Sequence, residues 1–391
     1  MRKKMTIQVK TILLGTLFTR IALFMSTPFL AIYLSDVRQF SALEIGYIVG
    51  INPLVSVLGS SLGGHLSDKI KLYSLLSYTP IFWGVIFISF YFASSFSTFL
   101  LLNALSGLCY VLFEPATKRT LSAFSLPEQR MFIYNLRYAA INLGAFLGPL
   151  LGLLFSTTTS LFPYLILGSF YIIYGFVNRH TMKEAVIPIT VNPTSVETAA
   201  TKITPVVAYL LLLIGITFSY FAYAQFNSTV PQFFASSTLF RSGVTLYSMV
   251  LTMNAALILL LQLPVMNYSK KISSFFALQL SNYCFAFSLF LLPKTNILFV
   301  LFLMVFFYSL GELFLGVRFD YLIDQLAPSN KKGFYFGLAE MTKLGNSIGP
   351  VIGAYLIQLF SIDGYTTIFI CLGMITLGGS LFIQLSSRFS K

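Results

Sequence analysis

The feature that most constrains the fold is a series of apolar runs, each about as long as a membrane-spanning helix. Twelve such runs occur, at about residues 12–34, 43–65, 73–95, 97–119, 131–155, 160–178, 206–234, 243–267, 273–293, 296–322, 334–359 and 364–386. A helix needs about 20 apolar residues to cross the hydrocarbon core of a bilayer. Only 9% of the 391 residues are charged, whereas soluble domains carry about 25%. The sequence therefore excludes a soluble globule and predicts an all-α integral membrane protein with twelve transmembrane helices.

The positions of the basic residues predict how these helices are oriented. When alternate ends of the runs are assigned to one side, starting from the N-terminus, 18 of the 25 Lys and Arg fall on that side. The opposite side receives only Arg38, Arg241 and Lys294, and four basic residues lie inside runs. Because basic residues accumulate in cytoplasmic loops, we expect a multi-pass plasma-membrane protein with both termini in the cytoplasm. This topology accounts for the net charge of +13 without a nucleic-acid partner.

The chain also repeats itself at an offset of about 201 residues. The segment LGAFLGPLLG at 143–152 matches LGNSIGPVIG at 344–353. Two halves in the same orientation, each with an even number of spans, are typical of two-bundle transporters. We therefore expect an N-terminal six-helix bundle at 1–178, a cytoplasmic linker at 179–204 and a C-terminal six-helix bundle at 205–391. The two bundles should be pseudo-symmetric, with a substrate site between them near the bilayer midplane.

Two motifs resemble known signatures. The run GGHLSDK at 63–69 resembles the first-half signature of the major facilitator superfamily, and the Gly-x3-Gly-Pro-x2-Gly pattern of the fifth run resembles the antiporter signature of its drug/proton antiporters. The resemblance covers nearly the whole chain. It implies the major facilitator fold, alternating access and export of the multidrug-efflux type. It also implies that the proton gradient supplies the energy and that no cofactor is needed.

These motifs have a physical interpretation as parts that move. Glycines four residues apart line one face of a helix and allow a neighbouring backbone to approach closely, and a proline removes a backbone hydrogen bond and bends the helix. A plain helix-packing seam is the alternative. The resemblance implies that Asp68 latches the two halves in the outward-open state, with an ordinary solvated charge as the alternative. The residues of these conformational motifs are Gly64, Asp68, Lys69, Gly144, Gly148, Pro149, Gly152, Gly345, Gly349, Pro350 and Gly353.

Ionisable residues inside the runs are candidates for proton coupling, because a charge in the membrane is costly and is retained for function. Glu312 is the deepest acid, and Arg137 is a natural partner for Glu114. Structural ion pairs are the alternative, including a local pair between Glu340 and Lys343 on one helix face. The candidates for proton coupling are Glu312, Glu114, Arg137, Asp320 and Glu340. One departure from the family is Asn103, which stands where many such antiporters have an arginine.

Other polar and aromatic residues inside the runs are candidates for the substrate cavity. Aromatic walls with a few acids suit lipophilic or cationic compounds, although most aromatic residues of such a chain face lipid or pack helices. The candidates for the substrate cavity are Arg20, Asn52, Tyr223, Gln225, Asn227, Asn254 and Tyr308.

The sequence therefore favours a secondary transporter that exports small amphipathic or cationic compounds in exchange for protons. A carrier dedicated to one metabolite, lipid or sugar, or an uptake carrier, is the alternative. An enzyme is disfavoured, because the sequence has no HExxH, no Gly-x-Ser-x-Gly and no paired metal ligands. The three cysteines lie inside apolar runs and are interpreted as small hydrophobic residues. We expect a monomer whose partners are membrane lipid and a small-molecule substrate, with no metal.

Overall fold

The computed structural model describes residues 5–40, 42–155, 160–183, 206–236, 243–360 and 364–389, and all secondary structure in these ranges is helical. Six helices form the first half: α1 (Ile7–Asp36), α2 (Ala42–Lys69), α3 (Leu72–Phe92), α4 (Phe96–Ala123), α5 (Pro127–Phe155) and α6 (Phe162–Met182). Eight follow: α7 (Val206–Gln225), α8 (Thr229–Ser236), α9 (Gly243–Ser269), α10 (Ser274–Leu291), α11 (Leu298–Leu326), α12 (Lys332–Glu340), α13 (Leu344–Phe360) and α14 (Tyr365–Phe389). The all-α prediction with twelve spans is confirmed.

Two of the twelve predicted runs are each divided into two helices. The seventh run contains α7 and α8, separated by a turn at 226–228, and the eleventh contains α12 and α13, separated by a 3-10 turn at Met341–Lys343. Nine helical stretches within the described ranges are long and apolar enough to cross a membrane. Large apolar side chains remain exposed on them, for example Leu62 at 68% and Leu260 at 72%. Such surfaces are stable against lipid tails, since lipid is as apolar as leucine.

Local sequence signals set several helix ends. The hydroxyl groups of Thr6, Ser95 and Ser273 accept hydrogen bonds from the backbone three residues later, at the starts of α1, α4 and α10. These contacts satisfy N–H groups that have no partner inside the helix. Ser95 and Ser273 lie at or just before the starts of the predicted runs, and α4 and α10 begin within one residue of the predicted positions, whereas α1 begins five residues before the run predicted at 12.

The chain divides into two compact units. The first unit comprises Met1–Ser195 and Ala327–Glu340, and the second comprises Val196–Leu326 and Met341–Lys391. The segment Ala327–Glu340, which includes α12, therefore belongs to the first unit although the sequence places it in the second half. The predicted linker lies mostly outside the described residues, which stop at 183 and resume at 206.

Glycine faces pack the equivalent pair of helices in each unit. In the first unit, a Cβ added at Gly144 would lie 2.7 Å from the Cβ of Arg20 on α1, and Gly148 is as close to Phe24. In the second unit, Gly349 lies against the backbone of α7, where an added Cβ would be 2.9 Å from the carbonyl oxygen of Phe221.

The same face continues at either end of these two contacts. Gly345 is close to α7 as well, and Gly353 lies against Thr229 of α8. Helix α13 continues through Pro350. Helix α5 runs through Pro149 and Gly152, whose side chains lie outside the described part of the structure. Each unit thus brings the repeated motif against the first helix of its half.

Candidate functional site

A buried carboxylate with three cations around it lies at the centre of the first unit. Glu114 of α4 is 6% exposed and forms an ion pair with Arg137 of α5. The guanidinium of Arg20 on α1 is 3.7 Å from the same carboxylate, and the ammonium of Lys118 is 4.0 Å from it. Buried charges are tolerated where partners compensate them. The structure therefore brings together three residues that the sequence singles out, Arg20, Glu114 and Arg137.

Lys118 connects this cluster to the segment that contains α12. Its ammonium group lies 2.7 Å from a carboxylate oxygen of Glu340, and the Tyr110 hydroxyl donates to the other oxygen at 2.8 Å. Lys118 and Glu340 are each 4% exposed. Counting Arg20, Arg137 and Lys118 against the two glutamates, the cluster carries one excess positive charge. We call these five charged residues the charge cluster.

The space beside the charge cluster is small. A cavity of about 20 Å³ is lined by Arg20, Glu114, Arg137 and nearby hydroxyl and aromatic side chains. Such a volume holds about one water molecule. This cavity is therefore of the size of a water molecule and not of an organic substrate.

Asp68 anchors the first turn of α12. Its two carboxylate oxygens accept hydrogen bonds from the backbone N–H groups of Gly333 and Phe334, each at 2.8 Å, and Arg119 lies 3.6 Å away. A helix N-terminus carries unpaired N–H groups and partial positive charge, so a carboxylate stabilises it. This is the residue for which the resemblance implies a latch, and its partners are the backbone of α12 and the side chain of Arg119.

Glycines allow α2 and α12 to approach closely at this point. A Cβ added at Gly337 would lie 2.9 Å from the Cα of Gly64 and would overlap the carbonyl oxygen of Ser60. Gly333 is equally close to Gly64 and Ser67. Because side chains larger than hydrogen do not fit, glycine at these positions permits both the packing and the hydrogen bonds to Asp68.

The second unit contains a carboxylate in a different environment. Glu312 of α11 is half-buried, and the Asn254 amide of α9 donates to it at 3.4 Å. The Ser309 hydroxyl donates to the Asn254 carbonyl oxygen at 2.6 Å. Tyr223 of α7 lies close enough for the carboxylate to act on it electrostatically. Neutral donors therefore stand next to this acid.

Aromatic rings pack beside Glu312. Tyr308, one helical turn before it, stacks on Phe226 with 3.8 Å between ring centroids and donates its hydroxyl to the Tyr223 carbonyl oxygen at 3.1 Å. Phe226 lies in the turn that interrupts the seventh span. We call Glu312, Asn254, Ser309, Tyr223, Tyr308 and Phe226 the acid–aromatic site.

The turn at 226–228 that follows α7 contains Phe226 and therefore lies next to this site. Gln225, which is fully buried, accepts from the Thr229 hydroxyl at 2.6 Å, so the two ends of the turn are tied together. Asn227, within the turn, is exposed. Non-helical backbone at membrane depth is found where it lines a cavity or is buried in protein. Broken helices of this kind form the ligand sites of many transporters.

The remaining predicted residues lie elsewhere. Asn52 accepts a hydrogen bond from Ser56 within α2, whereas Asn103 of α4 donates to the carbonyl oxygen of Ile48 and so joins α4 to α2. Asp320 follows Glu312 by eight residues on α11, which places it about 12 Å along the axis. Lys69 is exposed at the end of α2.

Sequence reasoning missed Lys118 as a member of the site. The charge pattern assigns it to the cytoplasmic ends, yet it is buried between two glutamates. Its spacing of four residues from Glu114, which places the two on one helix face, is the signal that indicates the pair. Nothing in the sequence indicates Tyr110 or the backbone partners of Asp68.

The chain is similar to known proteins over nearly its whole length. A family model described as Major Facilitator Superfamily matches residues 12–343. The chain is 36% identical over 386 residues to "Uncharacterized MFS-type transporter YqjV" of Bacillus subtilis (strain 168), covering 97% of this chain and 94% of that protein. It is 23% identical over 419 residues to a "Na(+), Li(+), K(+)/H(+) antiporter" of Planococcus maritimus, covering 98% and 96%.

Solved structures with the same fold include two transporters. A bacterial homologue of the iron transporter ferroportin, in the outward-facing state, has a TM-score of 0.74 at 13% identity, with 97% of this chain and 99% of that chain covered. The human organic anion transporter MFSD10 (TETRAN) has a TM-score of 0.71 at 16% identity, with 96% and 98% covered. At identities this low, the similarity to these two structures shows a shared fold.

Proposed function

Because the chain belongs to the major facilitator superfamily, whose members are transporters and not enzymes, we propose that it exchanges protons for a small cationic or amphipathic compound. The predicted family and the major facilitator fold are confirmed. The proton coupling and the multidrug-efflux character are our proposal. The observation that carries it is the position of Glu312, a half-buried carboxylate among neutral donors and stacked aromatic rings.

The two carboxylate environments support different roles. Three cations surround Glu114, so its charge is compensated within the protein and the charge cluster serves to hold α1, α4, α5 and α12 together. The Asn254 amide donates to Glu312, and the Tyr223 phenol lies near this carboxylate. In our proposal, a cationic substrate and a proton bind to the Glu312 carboxylate in turn and so compete for it.

The aromatic residues support an organic cation as the substrate. A cation over the face of an aromatic ring is attracted by about 0.5–2 kcal/mol, more where water is excluded. Tyr308, one helical turn before Glu312, stacks on Phe226, and the ring of Tyr223 stacks on Tyr308 with 6.1 Å between centroids. In the exchange cycle, the ionised Glu312 binds the cation, and its protonation releases the cation and removes the cost of a charge within the membrane.

A monovalent metal cation is a second candidate substrate. One relative carries the name of a Na(+), Li(+), K(+)/H(+) antiporter, and Ser309, Asn254 and Glu312 supply hard oxygen ligands close together. Such ions prefer oxygen ligands. The alternative of a carrier dedicated to one metabolite, lipid or sugar predicts instead that transport depends little on Glu312.

The orientation, the direction and the assembly are also part of the proposal. The charge bias supports a plasma-membrane protein with cytoplasmic termini, and the glycine-proline motif supports export by alternating access. We further propose that the halves at 1–178 and 205–391 move as the two bundles, joined by the linker at 179–204, and that the protein works as a monomer.

Transport in proteoliposomes tests this function. Vesicles with an imposed pH gradient are loaded with tetraphenylphosphonium or with Na⁺, and efflux is compared between the parent protein, Glu312→Gln and the exposed control Glu128→Gln. We expect proton-driven efflux of the organic cation that Glu312→Gln abolishes and Glu128→Gln retains. Efflux of Na⁺ alone selects the second candidate. Full proton-driven transport by Glu312→Gln would remove this residue from the mechanism.

A further inference from the structure

A cavity of the first unit lies where α2, α4 and α6 end and α3 begins. Its volume is about 360 Å³, and four basic side chains line it, those of Lys69, Lys71, Arg119 and Lys183. This volume is within the range of small-molecule sites, about 300–1,000 Å³. We propose that this basic cavity binds the phosphate-bearing headgroup of an anionic phospholipid. The proposal does not depend on Glu312 or on the transported substrate.

The charge balance of the cavity calls for an anion. Its carboxylate is that of Asp68, whose two oxygens accept the N–H groups of Gly333 and Phe334. Arg119 lies 3.6 Å from Asp68 and also donates to the Ser67 carbonyl oxygen. The charges of Asp68 and Arg119 therefore compensate each other, and the positive charges of the three lysines remain in excess.

In the described part of the chain, the three lysines have no carboxylate partner. Lys69, Lys71 and Lys183 are exposed, and within the described residues none of them lies within ion-pair distance of a carboxylate. Charged residues make up only 9% of this chain, so three uncompensated ammonium groups around one cavity are a local concentration of positive charge. A phosphodiester, with one negative charge and two unsubstituted oxygens, is a ligand that several ammonium groups can contact at once.

Apolar surface beside the lysines favours a lipid over a soluble phosphate compound. Ile70 belongs to the cavity wall and is 38% exposed, and Leu66, one turn earlier on α2, is 41% exposed. Phe176 on α6 is 55% exposed. Leu66 lies on α2, Phe176 lies on α6 and Ile70 directly follows α2, so in our proposal the acyl chains lie against these exposed side chains while the headgroup enters the cavity.

The basic cavity lies at the ends of the helices where an anionic lipid headgroup is expected. The ends of α2, α4 and α6 are the ones that the distribution of Lys and Arg predicts to be cytoplasmic, and the cytoplasmic leaflet carries anionic lipid. Basic pockets between transmembrane helices on that side bind anionic headgroups in general. A neighbouring cation, Arg179, lies over the ring of Tyr78 at 5.6 Å and adds to the positive potential at this end.

The experiment compares two triple variants with the parent protein in nanodiscs of phosphatidylcholine that contain phosphatidylglycerol. The test variant carries Lys69→Gln, Lys71→Gln and Lys183→Gln. The control variant carries Lys270→Gln, Lys271→Gln and Lys331→Gln, which removes the same charge from exposed lysines outside the cavity. Native mass spectrometry after detergent extraction measures the phosphatidylglycerol that each protein retains. Parallel samples receive phosphatidylcholine alone or inorganic phosphate alone, and thermal unfolding is recorded.

A lysine near an anionic bilayer strengthens binding by roughly fivefold, so three lysines amount to about a hundredfold. We expect the test variant to lose phosphatidylglycerol by about that factor, and the control variant to retain it. High salt should weaken the retention, and inorganic phosphate alone should not shift the unfolding temperature. An equal loss of phosphatidylglycerol in both variants would overturn the basic cavity as the lipid site. Stabilisation by inorganic phosphate that the test variant loses would overturn the lipid as its ligand.

Discussion

The ion pair between Lys118 and Glu340 provides a quantitative test of the first unit. For an effective dielectric constant of about 20, the Coulomb attraction is roughly 6 kcal/mol at the 2.7 Å that joins Lys118 to Glu340. It is roughly 4 kcal/mol at the 4.0 Å that joins Lys118 to Glu114. Removing one partner of a buried pair destabilises a protein by about 3–5 kcal/mol. Because Glu114 remains close to Lys118, we expect Glu340→Gln to lower the free energy of unfolding by about 3 kcal/mol, the lower end of that range.

A double-mutant cycle separates this pair from general effects of substitution. Lys118→Met keeps an apolar side chain of similar length and removes the cation next to the buried Glu340 carboxylate, so we expect a similar loss of stability. The double variant carries neither charge, and its loss should be smaller than the sum of the two single losses by about 2–3 kcal/mol. The exposed Glu128→Gln is the control, with an expected change within about 0.5 kcal/mol.

The chain contains one tryptophan, which makes the measurement specific to this unit. Trp83 of α3 is buried and donates its ring N–H to the Ser106 hydroxyl. Its fluorescence during unfolding by sodium dodecyl sulfate in mixed micelles therefore reports the first unit. Additive losses in the cycle, or a Glu340→Gln variant as stable as the parent protein, would refute the assignment of this pair as the contact that fixes α12 to α4.

Two further predictions concern α12 and the acid–aromatic site. Gly337→Ala should destabilise the protein by about 1–3 kcal/mol, because the added Cβ meets the backbone of α2. The control is Gly378→Ala, where the added Cβ has open space and the change should be neutral or stabilising. Equal unfolding midpoints of the two variants would contradict the close packing of α12 on α2. Tyr308→Ala should weaken the binding of tetraphenylphosphonium about tenfold through loss of the ring, whereas Tyr308→Phe should stay within a few-fold because it loses only one hydrogen bond. Equal affinities of the two variants in a binding titration would exclude a cation–π contribution.

Hydropathy and repetition in the sequence determined most of the fold. A membrane-spanning run is a property of consecutive residues, and its cost in lipid adds up along the segment, so the twelve runs could be read directly and agree with the observed helices. The repeated glycine-proline motif likewise predicted close helix packing in both halves, and the structure supplies the partners, α1 and α7. Glu114, Arg137 and Glu312 stood out because an ionisable residue in an apolar run is visible without any knowledge of its neighbours.

The tertiary structure decided which of these residues meet and which roles their surroundings allow. Lys118 and Glu340 are 222 positions apart, and no local pattern relates them, because contact between helices depends on how faces rotate and slide against each other. The same holds for Asp68, whose partners include the backbone N–H groups at the start of α12. Charge and hydropathy are properties of the sequence itself, whereas the compensation of a buried charge depends on atoms that folding brings within a few ångströms of each other.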